Sequence, residues 1–92
     1  MQVVVRGILT HYEQSGSRGK QLLLLHGWGD RLETYDALVS ALDSSYQVTR
    51  LDLPGFGATE PPKQSWGLSD YARFVADFSQ KLSVKPDVLI GH

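Results

Sequence analysis

Two glycine-bearing segments, each directly after an apolar run, are where this 92-residue sequence could do chemistry: His26-Gly27-Trp28-Gly29-Asp30 after Gln21–Leu25, and Gly91-His92 after Val88-Leu89-Ile90. Glycine at the end of a strand lets the backbone turn sharply and lets another group approach it closely. Two kinds of binding chemistry can be tested against that spacing. A dinucleotide site would use Gly27-x-Gly29 to cradle phosphate and Asp52, 23 residues beyond Gly29, to hold a ribose. Its third glycine position is Leu32, however, and two strands precede a unit that should open the fold, so the fingerprint is incomplete. A metal site is not indicated either, because His11, His26 and His92 lack ligand spacing and no nearby carboxylate pair groups them. Trp66 and the tyrosines read as packing residues, and His11 as a surface residue.

Composition narrows the classes further. The chain is 41% hydrophobic and 21% charged with a formal net charge of −1, which leaves no electrostatic footprint for nucleic acid or an anionic membrane. With 0 cysteines there is no disulfide framework and no thiolate metal site. The first ten residues lack a basic head and a long apolar stretch, and no apolar run approaches the ~20 residues of a membrane span. The expectation is a cytoplasmic protein without a cofactor.

The elements that must position these segments can be read from periodicity. Gln2–Val5 and Ile8–Glu13 are predicted as a hairpin about Arg6-Gly7, followed by a polar glycine-rich turn, Ser15 to Lys20. Gln21–Leu25 is a continuous apolar run, as expected of a central strand covered on both faces. Asp30-x-x-Glu33 offers a capping-box start to a helix carrying Leu32, Tyr35, Leu38, Ala41 and Leu42 on one side and ending near Asp43-Ser44-Ser45. Tyr46–Leu51 is the next strand. Asp52 to Gly67, rich in proline and glycine, is a loop long enough to be functional. Ser69–Leu82 is a second helix with Tyr71, Phe74, Val75, Phe78 and Leu82 along one stripe, and Val88–Ile90 is the last strand. The order β-β-β-α-β-α-β is an α/β pattern.

Leu24-Leu25-His26-Gly27-Trp28-Gly29, Asp52-Leu53-Pro54-Gly55-Phe56-Gly57-Ala58-Thr59 and Val88-Leu89-Ile90-Gly91-His92 together resemble the α/β-hydrolase fold family, in the family's order and over essentially the whole chain. The resemblance implies an α/β-hydrolase fold, here its N-terminal part, with five strands, two helices and a mostly parallel sheet after the initial hairpin. It makes Gly91-His92 the first two positions of the nucleophile elbow, Gly-x-nucleophile-x-Gly, with the nucleophile expected immediately after His92. Gly91 is expected to be small because neighbouring strands crowd the elbow. The Trp28 backbone N–H becomes the candidate oxyanion donor, a contact typically worth about 3 to 4 kcal/mol in the transition state, and the Trp28 side chain is expected to line the acyl pocket. His26, Gly27, Gly29, Gly91 and His92 shape the site, His26 by bracing loop backbone and His92 by packing or forming the turn. Asp52 is expected to bond turn amides.

Gly29 stands where aspartate-nucleophile members of the family usually carry proline, which favours a serine hydrolase, and the strings are similar to those of pimeloyl-carrier-protein methyl ester esterases. An epoxide hydrolase or dehalogenase, a catalytically silent binding module and a nucleotide-binding domain remain as alternatives. The implied partners are a small-molecule ester-type substrate and the rest of the hydrolase domain, with no nucleic acid, no membrane and no metal. Residues 1–92 are expected to form the N-terminal segment of a single domain, inactive alone, with nucleophile, acid and catalytic histidine C-terminal to His92. A last parallel strand without a covering helix predicts aggregation, oligomerisation or partial unfolding of the isolated chain.

Overall fold

The alternation of side chains along Gln21–Leu25 explains the layering of the whole molecule. This strand, β3, sends Leu22 and Leu24 to one face and Leu23 to the other, and all three are buried. In the computed structural model, which describes all 92 residues, Leu22 and Leu24 pack with Tyr35, Val39 and Val48 on one side of the sheet. On the opposite side Leu23 packs with Val5, Ile8, Leu51, Phe74 and Phe78.

The remaining elements are β1 (Gln2–Val5), β2 (Ile8–Ser15), a 3₁₀ turn (Leu32–Tyr35), α1 (Asp36–Leu42), β4 (Gln47–Leu51), α2 (Leu68–Lys81) and β5 (Val88–Gly91). The five strands form one sheet in the order β1-β2-β4-β3-β5. β1 and β2 make the expected antiparallel hairpin, β2 runs antiparallel to β4, and β3 lies parallel to both β4 and β5. The sheet is therefore mixed, with its parallel portion at β4-β3-β5. β3 is paired on both sides and buried on both faces, as expected. β2 runs two residues beyond the predicted Glu13, because Gln14 and Ser15 find partners in Thr49 and Val48.

Helix α2 follows its predicted stripe. Phe74 and Phe78 are fully buried and Tyr71, Val75 and Leu82 half-buried, which stabilises the layer by roughly 1.5 to 3 kcal/mol for each fully buried phenylalanine. Its first turn is stapled by Asp70, whose Oδ2 accepts the Gly67 N–H at 2.8 Å.

The first helix departs from expectation. Asp30 and Glu33 do not cap it: Asp30 Oδ1 accepts the Thr34 hydroxyl, and the Leu32 N–H donates instead to Asp52 Oδ1 at 2.7 Å. A fully buried carboxylate at the end of β4 must collect backbone donors, so the long-range acceptor displaces the local one. The segment also enters as a 3₁₀ turn, with three residues per turn, before becoming α-helical at Asp36. That phase change turns Val39 into the core and leaves Leu38 and Ala41 exposed.

β5 pairs with β3 alone. Its other edge is open, and Val88 and Leu89 are exposed, Leu89 by 59%.

Candidate active site

The turn after β3 is held by side chains that bond backbone. His26, buried beneath it, donates from Nδ1 to the Gly27 carbonyl at 2.8 Å and accepts at Nε2 from the Leu53 N–H at 2.9 Å. Only the Nδ1–H tautomer satisfies both contacts, so the ring ties the β3 turn to the β4 turn and has no nitrogen left for a substrate. Tyr35 Oη donates to the Leu25 carbonyl at 2.8 Å, fixing the last residue of β3. Burial, with the nearby Asp30 carboxylate, raises the Tyr35 pKa above 10.0 and keeps the phenol a donor.

Within the turn, the Asp30 N–H donates to the Gly27 carbonyl at 3.1 Å, closing a β-turn whose third residue, Gly29, has φ +80°. A side chain there would be strained, which gives Gly29 its structural reason. Gly27 is small for a different reason. A Cβ on it would lie 2.9 Å from His92 Nδ1 and 3.1 Å from the His92 carbonyl oxygen, so the β3 turn and the end of β5 touch there. The Trp28 N–H, between the two glycines, donates to no group of the chain.

The turn after β4 is organised around Asp52. Its Oδ1 takes the Leu32 N–H and its Oδ2 the Ala58 N–H at 3.0 Å, as expected for a carboxylate that bonds turn amides. Both oxygens are committed and the residue is fully buried, so it cannot hold a ribose, and the nucleotide reading loses its acid. Gly57, at φ +53°, lies directly over that carboxylate; a Cβ would come within 2.3 Å of Asp52 Cγ.

These turns and α2 enclose an apolar cavity of about 270 Å³ lined by His26, Gly27, Trp28, Leu53, Phe56, Trp66, Leu68, Tyr71 and His92. The Trp28 indole stands over it, 83% exposed, with its ring edge-on to Phe56 at 4.8 Å between centroids and to Tyr71 at 6.2 Å. Trp66 packs against Tyr71 and Phe74 and is at once packing and lining. Tyr71 Oη donates to the Pro54 carbonyl at 3.1 Å, and burial raises its pKa above 10.0. A larger space of about 570 Å³ lies between Arg6 to Ile8 and Glu60 to Trp66, where Arg6 is paired with Asp77 and Glu60 accepts the Leu9 N–H.

Sequence reasoning named His26, Gly27, Trp28, Gly29, Gly91 and His92, and the chain brings them to the C-terminal ends of β3 and β5. It missed Leu53, Phe56, Leu68 and Tyr71 as lining residues. Phe56 could have been noticed as the one large side chain inside the Pro54-Gly55-Phe56-Gly57 string, whereas Leu68 and Tyr71 look like any residues at a helix start. Within residues 1–92 nothing lies within 4 Å of a Cβ placed on Gly91. One expectation is corrected. His11 is half-buried and lies 3.8 Å from Glu13, because β2 is paired on both sides.

Residues 22–92 match the alpha/beta hydrolase family. The chain belongs to that family. It is 36% identical over 89 residues to epoxide hydrolase 4 of Homo sapiens, covering 94% of this chain and 25% of the relative. It is 38% identical over 56 residues to the pimeloyl-acyl-carrier-protein methyl ester esterase of Legionella pneumophila (strain Lens), covering 61% of this chain and 22% of that one. The crystal structure of a membrane phospholipase A, described as a bacterial virulence factor, superposes with a TM-score of 0.93 at 32% identity, over 100% of this chain and 30% of that one. The hydrolase-family chain thus spans about a quarter of the length of the curated relatives it matches. No helix in it is long and apolar enough to cross a membrane.

Proposed function

We propose that this hydrolase-family chain supplies the oxyanion side of an acyl-transfer site in an enzyme that cleaves a small-molecule ester through a serine nucleophile placed immediately after His92. Residues 1–92 are then the N-terminal segment of one domain, whose catalytic acid and histidine lie beyond them. The observation that carries the reading is the Trp28 N–H, free of any acceptor in the chain, in a turn whose neighbour Gly27 touches His92.

In this reading a histidine oriented by an acid takes the serine proton and the alkoxide adds to the ester carbonyl. The new oxyanion accepts from the Trp28 N–H and from the amide that follows the nucleophile. Collapse of the tetrahedral intermediate expels the alcohol, and water then releases the acyl-enzyme by the same steps. Because the donor is backbone in a turn braced by His26 and Tyr35, little reorganisation accompanies charge development. The apolar cavity beside it suits a neutral hydrocarbon portion of the substrate, with Trp28 against it.

A fluorophosphonate probe tests the proposal. The protein carrying residues 1–92 with its full hydrolase domain is expected to be labelled on the residue after His92, and the 92-residue chain alone not at all. Labelling of the isolated chain, or at a residue elsewhere in the longer protein, would overturn it. A second reading, an aspartate at that position attacking an epoxide or alkyl halide, is favoured by the 36% identity to epoxide hydrolase 4. Gly29 speaks against it. Trapping an alkyl ester on the residue after His92 would establish it in place of the first.

A further inference from the structure

We infer that Arg50, with Asp36, is a positioning residue for the turn that carries the Trp28 amide; the inference rests on the acyl-transfer reading. Arg50 and Asp52 lie two apart on β4 and the adjoining turn, and both reach the same residue, Leu32. Asp52 Oδ1 accepts the Leu32 N–H at 2.7 Å, while Arg50 Nη1 donates to the Leu32 carbonyl at 2.9 Å. The same Nη1 is 2.6 Å from Asp36 Oδ1 at the first residue of α1. One residue is therefore gripped at both its N–H and its C=O, just downstream of Gly27 to Asp30. The upstream end of that segment is gripped at the Leu25 carbonyl by Tyr35. Between these two anchors the His26 ring, the Gly27–Asp30 turn bond and the Thr34 hydroxyl on Asp30 shape the path of Trp28.

Arg50 is an unusual choice for its place. Its side chain is only 12% exposed, and its neighbour on the same face of β4, Val48, is apolar core. Its Nε is buried and makes no hydrogen bond. An aliphatic residue would pack there without an orphaned donor, and the ion pair to Asp36, whose side chain is 64% exposed, contributes little to stability. Stability alone does not account for a guanidinium at this position. Its two contacts both hold the 3₁₀ entry Leu32–Tyr35 and the start of α1, which set where the oxyanion turn ends.

The test uses the longer protein that contains this segment, with Arg50→Met, Arg50→Lys and Asp36→Asn. Arg50→Met is expected to keep the melting temperature within a few degrees and KM within about twofold, while kcat falls roughly tenfold or more, the pattern of a contact that acts only in the transition state. Arg50→Lys, which retains charge and one donor, should recover part of kcat, and Asp36→Asn should lower it about two- to fivefold. Hydrogen exchange of the peptide covering residues 27–32 should quicken in Arg50→Met whether or not an ester is turned over. An unchanged kcat, an unchanged exchange rate, or a fall in kcat only in step with melting and without gain from lysine would overturn the inference. If no variant hydrolyses esters and the unmodified protein resists the fluorophosphonate, the acyl-transfer reading has failed, and with it the catalytic purpose assigned to Arg50.

Discussion

The turn after β3 and the end of β5 touch at Gly27 and His92, yet they are built in opposite ways. The first is over-determined. His26, Tyr35, Asp52 and Arg50 each spend side-chain hydrogen bonds on its backbone or on its flanks, and three of the four come from later in the chain. The second has no such brace. Gly91 sits in open space, Val88 and Leu89 face solvent, and β5 is held by its pairing with β3. Within residues 1–92, then, side-chain hydrogen bonds converge on the turn after β3, whereas β5 is held through backbone pairing with β3.

The largest expected break in this contrast is at Gly57. Gly57→Ala places a methyl on the Asp52 carboxylate at positive φ and should destabilise by roughly 4 kcal/mol, read by urea unfolding, whereas Gly91→Ala should change stability by less than about 0.5 kcal/mol. Equal costs at the two glycines would remove the distinction between braced and open ends. Next comes Asp52→Ala, which orphans the Leu32 and Ala58 amides and should cost about 3 kcal/mol, with Asp52→Asn costing less because one acceptor survives.

His26→Phe keeps the ring volume but strands the Leu53 amide, for a loss of about 2 kcal/mol; a neutral outcome would mean that the two turns are tied by packing alone. The tyrosine braces should show in alkaline unfolding. Tyr35 and Tyr71 have folded-state pKa values raised above 10.0 by burial, so their contribution is fully present below pH 10.0 and is lost as pH rises through the folded values. Phenylalanine at both positions should flatten that alkaline fall. The smallest effect is at β5, where Leu89→Ala in the 92-residue chain should cost under about 0.5 kcal/mol. The same change in the longer protein should approach about 2 kcal/mol if further polypeptide covers the strand.

Much of this arrangement was legible in the residues. The strand positions, the α2 stripe and the three glycine-bearing motifs were found because a two-residue or 3.6-residue period and a required turn leave direct marks in sequence. Phe74 and Phe78 fell where the period put them. What misled was competition between local and distant partners. Asp30 and Glu33 have the spacing of a cap, and only folding reveals that Asp52 claims the Leu32 amide.

By itself, then, the sequence determined the order of elements, the face that α2 would bury, and the places where backbone must turn on glycine, since all of these follow from nearest-neighbour sterics and periodicity. The tertiary structure decided which carboxylate caps which turn, that the first helix begins as a 3₁₀ turn, and that Arg50 and Asp52 close on a single residue. Those outcomes depend on contacts between residues 14 to 27 positions apart, where desolvation of a buried charge outweighs any local preference.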